Sequence, residues 1–598
     1  MAEEKTTLLQ SSETKHLSTI TALRSNRLSI KIVSLQDHKN FTEKQGKSLR
    51  GTLINSTFVF LLAYLMLFFG MTLRPNIYDE GIVLTASMRV AAGQLPHRDF
   101  YAIYGPAQFY ILAGLYRLFG ESILVERLLD LFFRALLVAS VYTVASLYFR
   151  RSVAVCTSLV TLAWLFGLYS ASAASAVIPV SLFNLISTAL IIPVFTRTLS
   201  RRRIFGAGVL AGMAALFRYD TGIALIGIHV CVIAIGIYMR RKDNRWRTFV
   251  SGFSPYLPGF ALVTLPPALY YLSVAPLHPL IHDVVLFPSK YYHRARNLPF
   301  PAVTLKGFDN FAVYLPIALV GISLYAVVAG LLRMRGHEGS AQSKSEEQQR
   351  YGFLVAFGLL TFVMYFKGFV RVAIVHMYLA IIPSLLLAAA LFQQRFTFRR
   401  PVRISIMFVV WLSLLSPAWC SLREIRDLYV QHSSLPESIW SAARRTTRAI
   451  TTTWCKTTNS ATRGLCFLPE DDRIQTVEFI DSHTRPDQKI FVGVTHHDKI
   501  FANDNLIYFA SHRLPATRWS HFDPDLQNRY DIQAQIVQEL EVNTPPYVVL
   551  DSEFDRTYEP NDSSRSSGVT LLDEYLHKTY QYTHTFGRMS IWQRIPAP

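Results

Sequence analysis

The chain has 598 residues, 51% of them hydrophobic and 17% charged, with 60 Lys and Arg against 41 Asp and Glu and a formal charge of +19. So much apolar sequence excludes a disordered chain, and its clustering between residues 52 and 421 excludes an ordinary soluble protein. The excess of cations does not indicate nucleic-acid binding, because most of them sit in short loops between apolar runs, where they set membrane topology.

Residues 1–51 are polar and read as a cytoplasmic tail, with no cleavable signal peptide expected. From Thr52 onward, about eleven spans are predicted, at 52–70, 128–149, 153–170, 177–195, 205–217, 221–239, 251–275, 311–332, 352–366, 372–392 and 403–421. The connections fall into two alternating sets. One holds 18 Lys and Arg in 49 residues, including Arg201-Arg202-Arg203, and the other holds 12 in 106. The first set is therefore expected inside, which places the N-terminus in the cytoplasm and residues 422–598 outside. A bacterial inner membrane is favoured over the endoplasmic reticulum, where Asn561-Asp562-Ser563 would be a glycosylation site.

The first outer loop, 71–127, opens with Tyr78-Asp79-Glu80-Gly81 directly after a span. Adjacent carboxylates close to lipid suit proton abstraction, since partial burial raises a carboxyl pKa towards that of a useful general base. The same two acids also suit the N-terminus of a helix running through 81–92. The loop continues Ala91-Ala92-Gly93-Gln94-Leu95-Pro96-His97-Arg98-Asp99-Phe100, then Tyr104-Gly105-Pro106 and an apolar stretch, 107–119, too short to span comfortably. That stretch is expected along the interface or against the bundle.

This succession, over residues 79–120, resembles the first outer loop of GT-C glycosyltransferases, in the branch that groups protein O-mannosyltransferases with aminoarabinose transferases of lipid A. The resemblance implies a polytopic α-helical fold and a sugar donor carried on a polyprenyl phosphate. It implies Asp79 as catalytic base with Glu80 as its neighbour, and Arg98, Asp99 and Tyr104 as substrate-binding candidates. It also implies a late outer loop that supplies cations to phosphate, which makes Arg371 a candidate beside Lys367 and His376. A divalent cation is an open cofactor, since members of the superfamily differ in using one. His97 departs from the Tyr common in related sequences.

Further along, Phe217-Arg218-Tyr219-Asp220-Thr221-Gly222 breaks an apolar stretch at a predicted outer turn. Arg218 could hold a phosphate with Asp220 orienting it, or the two could simply pair in a local turn. Asp130 and Arg134, one helical turn apart, read as an internal pair. The loop 276–310 carries Lys290-Tyr291-Tyr292-His293-Arg294-Ala295-Arg296, a basic and aromatic patch from which Lys290, His293 and Arg294 are donor-binding candidates. An ordinary lipid-headgroup loop would look the same.

The outer tail begins with a Ser-, Thr- and Arg-rich connector, 422–472, containing Cys455 and Cys466. Helices are predicted over 473–483 and 530–541 and strands over 489–494 and 546–550, which suggests a small α/β domain. His496-His497-Asp498 has the wrong spacing for a metal site, and no metal ligands are assigned. Asn503-Asp504-Asn505 and Arg513 to Arg518 are polar segments suited to meeting an acceptor.

The fold expected is thus an α-helical polytopic membrane protein with a C-terminal soluble α/β domain. The function expected is inverting transfer of a sugar from a polyprenyl-phosphate donor to a glycan, lipid or protein acceptor at the outer face, with membrane lipid as a further partner. A lipid or sugar transporter, or an inactive scaffold of the same fold, are the alternatives.

Overall fold

The computed structural model describes residues 51–69, 76–167, 174–196, 200–240, 244–304, 310–334, 341–393, 400–429 and 471–596. The chain divides into two units. Met1–Phe58 is described only from Gly51, where a helix begins, and Val59–Pro598 holds everything considered below.

Helices occur in each of the eleven predicted apolar runs, and among the described residues seven are long and apolar enough to cross a membrane. The first is α1, Gly51–Phe69. It is followed by α2, Asp79–Ala91, α3, Ala107–Phe119, and α4, Ile123–Tyr148. As its length suggests, α3 lies against the bundle on one face. Phe109, Leu112, Ala113 and Tyr116 are buried, whereas Leu118 and Phe119 are exposed. Ser122 caps α4 by accepting from the Leu124 amide at 3.1 Å.

Two kinds of apolar helix are present. In Tyr378–Gln393 every residue from Tyr378 to Leu391 is buried, so this short helix is enclosed by its neighbours. Arg245–Val274 is only 6% buried along its apolar window and exposes Leu257, Leu262, Leu265 and Leu269. Apolar side chains on such a face need lipid around them. Asp130 and Arg134 form the expected pair at 2.6 Å on α4, with Arg134 also donating to the Leu165 carbonyl.

The C-terminal domain is the α/β unit expected. Its helices Asp471–His483 and Tyr530–Asn543 and its strands β1, Phe491–Val494, and β2, Tyr547–Asp551, match the predicted segments. β3, Tyr580–Phe586, and β4, Met589–Arg594, complete a sheet of order β1-β2-β4-β3. β1 and β2 are parallel, and the β2–β4 and β3–β4 pairs are antiparallel. Every residue of β1 and β2 is buried, which accounts for their apolar sequences up to Asp551 at the end of β2. The helix at 400 continues to Tyr429, beyond the predicted end at 421, and Cys455 and Cys466 lie outside the described residues.

This domain docks on the first loop. Thr85 donates to the Asn505 carbonyl at 2.8 Å, Arg89 to the Thr517 carbonyl at 3.0 Å, and the Tyr101 amide to the Arg518 carbonyl at 3.1 Å. Asn503, Asp504 and Asn505 are fully buried, with Asp504 paired to Arg473 at 2.5 Å. The expectation that these polar segments meet an acceptor is therefore corrected. They satisfy one another and the first loop, because buried polar groups need partners. His497 is likewise buried and paired with Asp573 at 2.7 Å.

Candidate active site

The site is built around the start of α2. Asn76 accepts from the amides of Tyr78 and Asp79, each at 3.1 Å, and so takes the capping role open to the two acids. Asp79 is thereby free to accept a hydrogen bond from the Tyr104 hydroxyl at 2.8 Å. Burial pushes the Asp79 carboxyl above the ordinary carboxylate range, while the Tyr104 hydrogen bond and the charges of Arg296, Arg218 and Arg371 pull it part of the way back. Tyr104 is placed by the glycine after it. The Gly105 amide donates to the Phe217 carbonyl at 2.9 Å, and a Cβ at Gly105 would collide with the Leu216 carbonyl.

Glu80 has the opposite environment. It is fully buried and takes two bonds from Arg127, at 2.5 and 2.7 Å, and one from the Asn76 amide at 2.8 Å. The pair joins the first loop to α4 and leaves Glu80 no open face for a substrate. Gly81 completes the motif for a third reason, since a Cβ there would come within 3.0 Å of the Leu506 amide of the docked domain. Three consecutive residues thus face Tyr104, Arg127 and the docked domain in turn.

Cations gather around Asp79 from separate elements. Between the helices Arg201–Phe217 and Tyr219–Arg240, Arg218 adopts an extended backbone and its side chain lies 3.4 Å from Asp220. Lys367, at the end of the helix Ala341–Lys367, reaches Asp220 at 2.5 Å. Arg371 forms a two-pronged bridge with Glu559 of the C-terminal domain, one prong at 2.7 Å. Arg296 pairs with Asp523 of the same domain and donates to the Tyr78 hydroxyl at 2.9 Å. His376 is exposed and feels the charges of Arg371, Arg296 and Arg218.

Of the residues expected from sequence, Asp79, Tyr104, Arg218, Asp220 and Arg371 come together. Lys290 and Arg294 are exposed on the outer side of their loop, Lys290 lying over Tyr291, and the His293 side chain lies outside the described residues. The basic patch does contribute, but through Arg296. Arg98 and Asp99 pair with each other at 2.7 Å, and Asp99 accepts from the Leu95 amide at 2.8 Å. Their contacts shape the loop. His97 explains its own departure. It sits at φ 65°, buried, with its ring 3.2 Å from the buried Asp283, which also binds Arg518 at 3.2 Å. A ring nitrogen facing Asp283 offsets a backbone conformation unfavourable for a residue with a Cβ.

Sequence reasoning missed Tyr78, Asp523 and Glu559. Asp523 accepts from both Tyr78, at 2.7 Å, and Tyr101, at 3.0 Å. Nothing in the local sequence of 523 or 559 separates these acids from the others of a soluble domain. Among the described residues no three His, Cys, Asp or Glu side chains converge as metal ligands, and Asp220 and Glu559 already face cations. That donor set does not fit a resident divalent ion.

Residues 104–272 match the family model described as dolichyl-phosphate-mannose-protein mannosyltransferase. No curated protein matches the sequence. Among solved structures, ArnT from Cupriavidus metallidurans in the apo state is 14% identical with a TM-score of 0.51, covering 91% of this chain and 99% of that one. The same protein bound to undecaprenyl phosphate is 15% identical with a TM-score of 0.49, covering 92% and 98%. An oligosaccharyltransferase from Archaeoglobus fulgidus tethered to an acceptor peptide is 10% identical with a TM-score of 0.42, covering 90% and 74%. The fold is that of GT-C glycosyltransferases, and the likeness to the O-mannosyltransferase and aminoarabinose transferase branch holds.

Proposed function

We propose that the protein transfers a sugar from a polyprenyl-phosphate donor to an acceptor hydroxyl or amine at the outer membrane face. The observation that carries this reading is the position of Asp79. It is a half-buried carboxylate whose pKa is raised by desolvation, hydrogen-bonded by Tyr104 and under the charges of Arg296, Arg218 and Arg371, which come from three separate segments. A base flanked by cations is suited to a reaction in which a proton is taken and an anion leaves.

In this mechanism Asp79 removes the proton from the acceptor as its oxygen or nitrogen attacks the anomeric carbon. The bond from that carbon to the phosphate oxygen breaks, its electrons stay on the phosphate, and configuration inverts. Arg371, Arg218, Lys367 and Arg296 stabilise the charge that accumulates on the leaving phosphate, a contribution of about 3–4 kcal/mol for a well-placed donor. Tyr104 holds Asp79 in register, and Glu80 contributes only by fixing the loop to α4. An apolar groove of about 670 Å³, lined by Phe60, Tyr64, Leu115, Phe119, Leu128 and Phe132, offers room for an isoprenoid chain alongside α1, α3 and α4.

The test is transfer of radiolabelled sugar from a panel of polyprenyl-phosphate sugars, in membranes containing wild type or Asp79→Asn at equal protein level. Transfer by wild type that collapses in the variant supports the reading. Equal transfer by both removes Asp79 from catalysis, and no transfer from any donor counts against the activity itself.

A further inference from the structure

We propose that Glu559 is a carboxylate gate on the donor-phosphate site, holding Arg371 until the phosphate arrives and giving it up when it does. This deepens the donor reading above and rests on it.

Both terminal nitrogens of Arg371 engage Glu559, one Oε2 at 2.7 Å and the other Oε1. A guanidinium fork meets two carboxylate oxygens in the geometry with which it meets two phosphate oxygens, so the two ligands compete for the same face. The bridge spans two parts of the chain. Arg371 follows the short turn Gly368–Val370 at the end of a spanning helix, whereas Glu559 lies in the loop after β2 of the soluble domain.

That loop is pinned by its backbone neighbours and not by the gating carboxylate. The Glu559 amide donates to Ser564 Oγ at 2.6 Å, Asn561 donates to the Asn297 carbonyl at 3.0 Å, and Lys499 donates to the Thr557 carbonyl at 3.0 Å. With these in place the Glu559 side chain can turn away while the loop stays docked. Asn561 also donates to Glu559 Oε2 at 3.0 Å, one further bond to be given up.

The second counter-ion of the site is built differently. Asp220 Oδ1 accepts from the Thr221 amide at 2.7 Å and from Thr221 Oγ1 at 3.1 Å, at the first turn of its helix, while Oδ2 faces Lys367. Asp220 is fixed by its own helix, and Glu559 is not. Of these two carboxylates one is permanent and the other exchangeable, and an incoming phosphate replaces the charge it displaces. Arg371 is kept extended towards the site at all times and never left without an anion.

The test uses farnesyl phosphate binding to the full-length protein in detergent micelles, with farnesol as the uncharged control. Glu559→Gln and Glu559→Ala should bind farnesyl phosphate about fivefold more tightly than wild type, because Arg371 no longer has to be freed. Arg371→Gln should bind at least about tenfold more weakly. Farnesol should bind all four proteins alike. If both Glu559 variants bind the phosphate equally or more weakly while Arg371→Gln still loses affinity, Glu559 is a strut for Arg371 and the gate is wrong, with the donor reading intact. Tightening of farnesol by the Glu559 variants equally overturns the gate. If farnesyl phosphate binds neither wild type nor any variant, the gate and the phosphate-donor reading fall together.

Discussion

The two walls of the site carry opposite charge and are made by different means. The wall from the membrane bundle presents Asp79 together with Arg218, Lys367 and Arg371, each placed at a helix end or within a turn of a few residues. The wall from the C-terminal domain presents the carboxylates Asp523 and Glu559, held on loops of a sheet domain. A helix end fixes a side chain through its own backbone, while a loop fixes one only through the contacts it makes elsewhere. The groups of the bundle wall are thus fixed by their own elements, and the domain wall supplies carboxylates that pair with the cations Arg296 and Arg371.

The largest effect should come from the bundle wall. Asp79→Asn should cut transfer about a thousandfold, within the usual contribution of a general base, with the thermal unfolding midpoint unchanged. Single-turnover transfer measures it. An effect below about tenfold would take the base out of this wall and break the contrast. Close behind stands Arg127→Met, which strands the buried Glu80. It should destabilise the fold by about 3 kcal/mol, read as unfolding in detergent, and lower activity only in proportion to the folded fraction.

A smaller effect separates the docking of the domain from its fold. Gly81→Val should force α2 away from Leu506 and Asn505 and cost about 1–3 kcal/mol, seen as protease sensitivity of the C-terminal domain before the bundle unfolds. Simultaneous loss of both would show that the two walls do not separate.

The pH profile sharpens the same comparison. Asp79 works when deprotonated, so kcat/KM is full above its pKa and falls as pH drops through it. Since burial raises that pKa, the acid limb should lie above the ordinary carboxylate range. Tyr104→Phe removes a hydrogen bond that lowers the pKa, so the limb should move upward. A downward shift would contradict the assignment. The smallest effect is expected from Arg98→Ala. Its partner is the neighbouring Asp99 on an exposed loop, and both stability and transfer should change by less than about 1 kcal/mol.

How much was legible in the sequence depended on background. Against apolar helices a charged residue stands out, because lipid tolerates it only when paired or in use, and Arg218 and Asp220 were singled out that way. Asp79, by contrast, was singled out as one of two adjacent acids and by the family resemblance, and Arg371 by the resemblance. In the soluble domain charges are ordinary, so Glu559 and Asp523 looked like any surface acids. The basic loop 290–296 lay between these cases. Its charge density marked the segment, but Arg296 is the member that turns inward to Asp523, while Lys290 and Arg294 stay exposed. Arg98 and Asp99 misled for a related reason, since a motif residue can be required to fold a loop without touching its ligand.

The sequence by itself determined the spans, the alternation of the C-terminal domain and the segment that carries the two adjacent acids, because hydrophobic periodicity and charge are local and survive in a linear reading. Tertiary structure alone decided how two adjacent acids are partnered. Asp79 and Glu80 are the same functional group one residue apart, but successive positions on a helix point about 100° away from each other. One therefore meets Tyr104 and the other Arg127, and neither partner is near them in the chain.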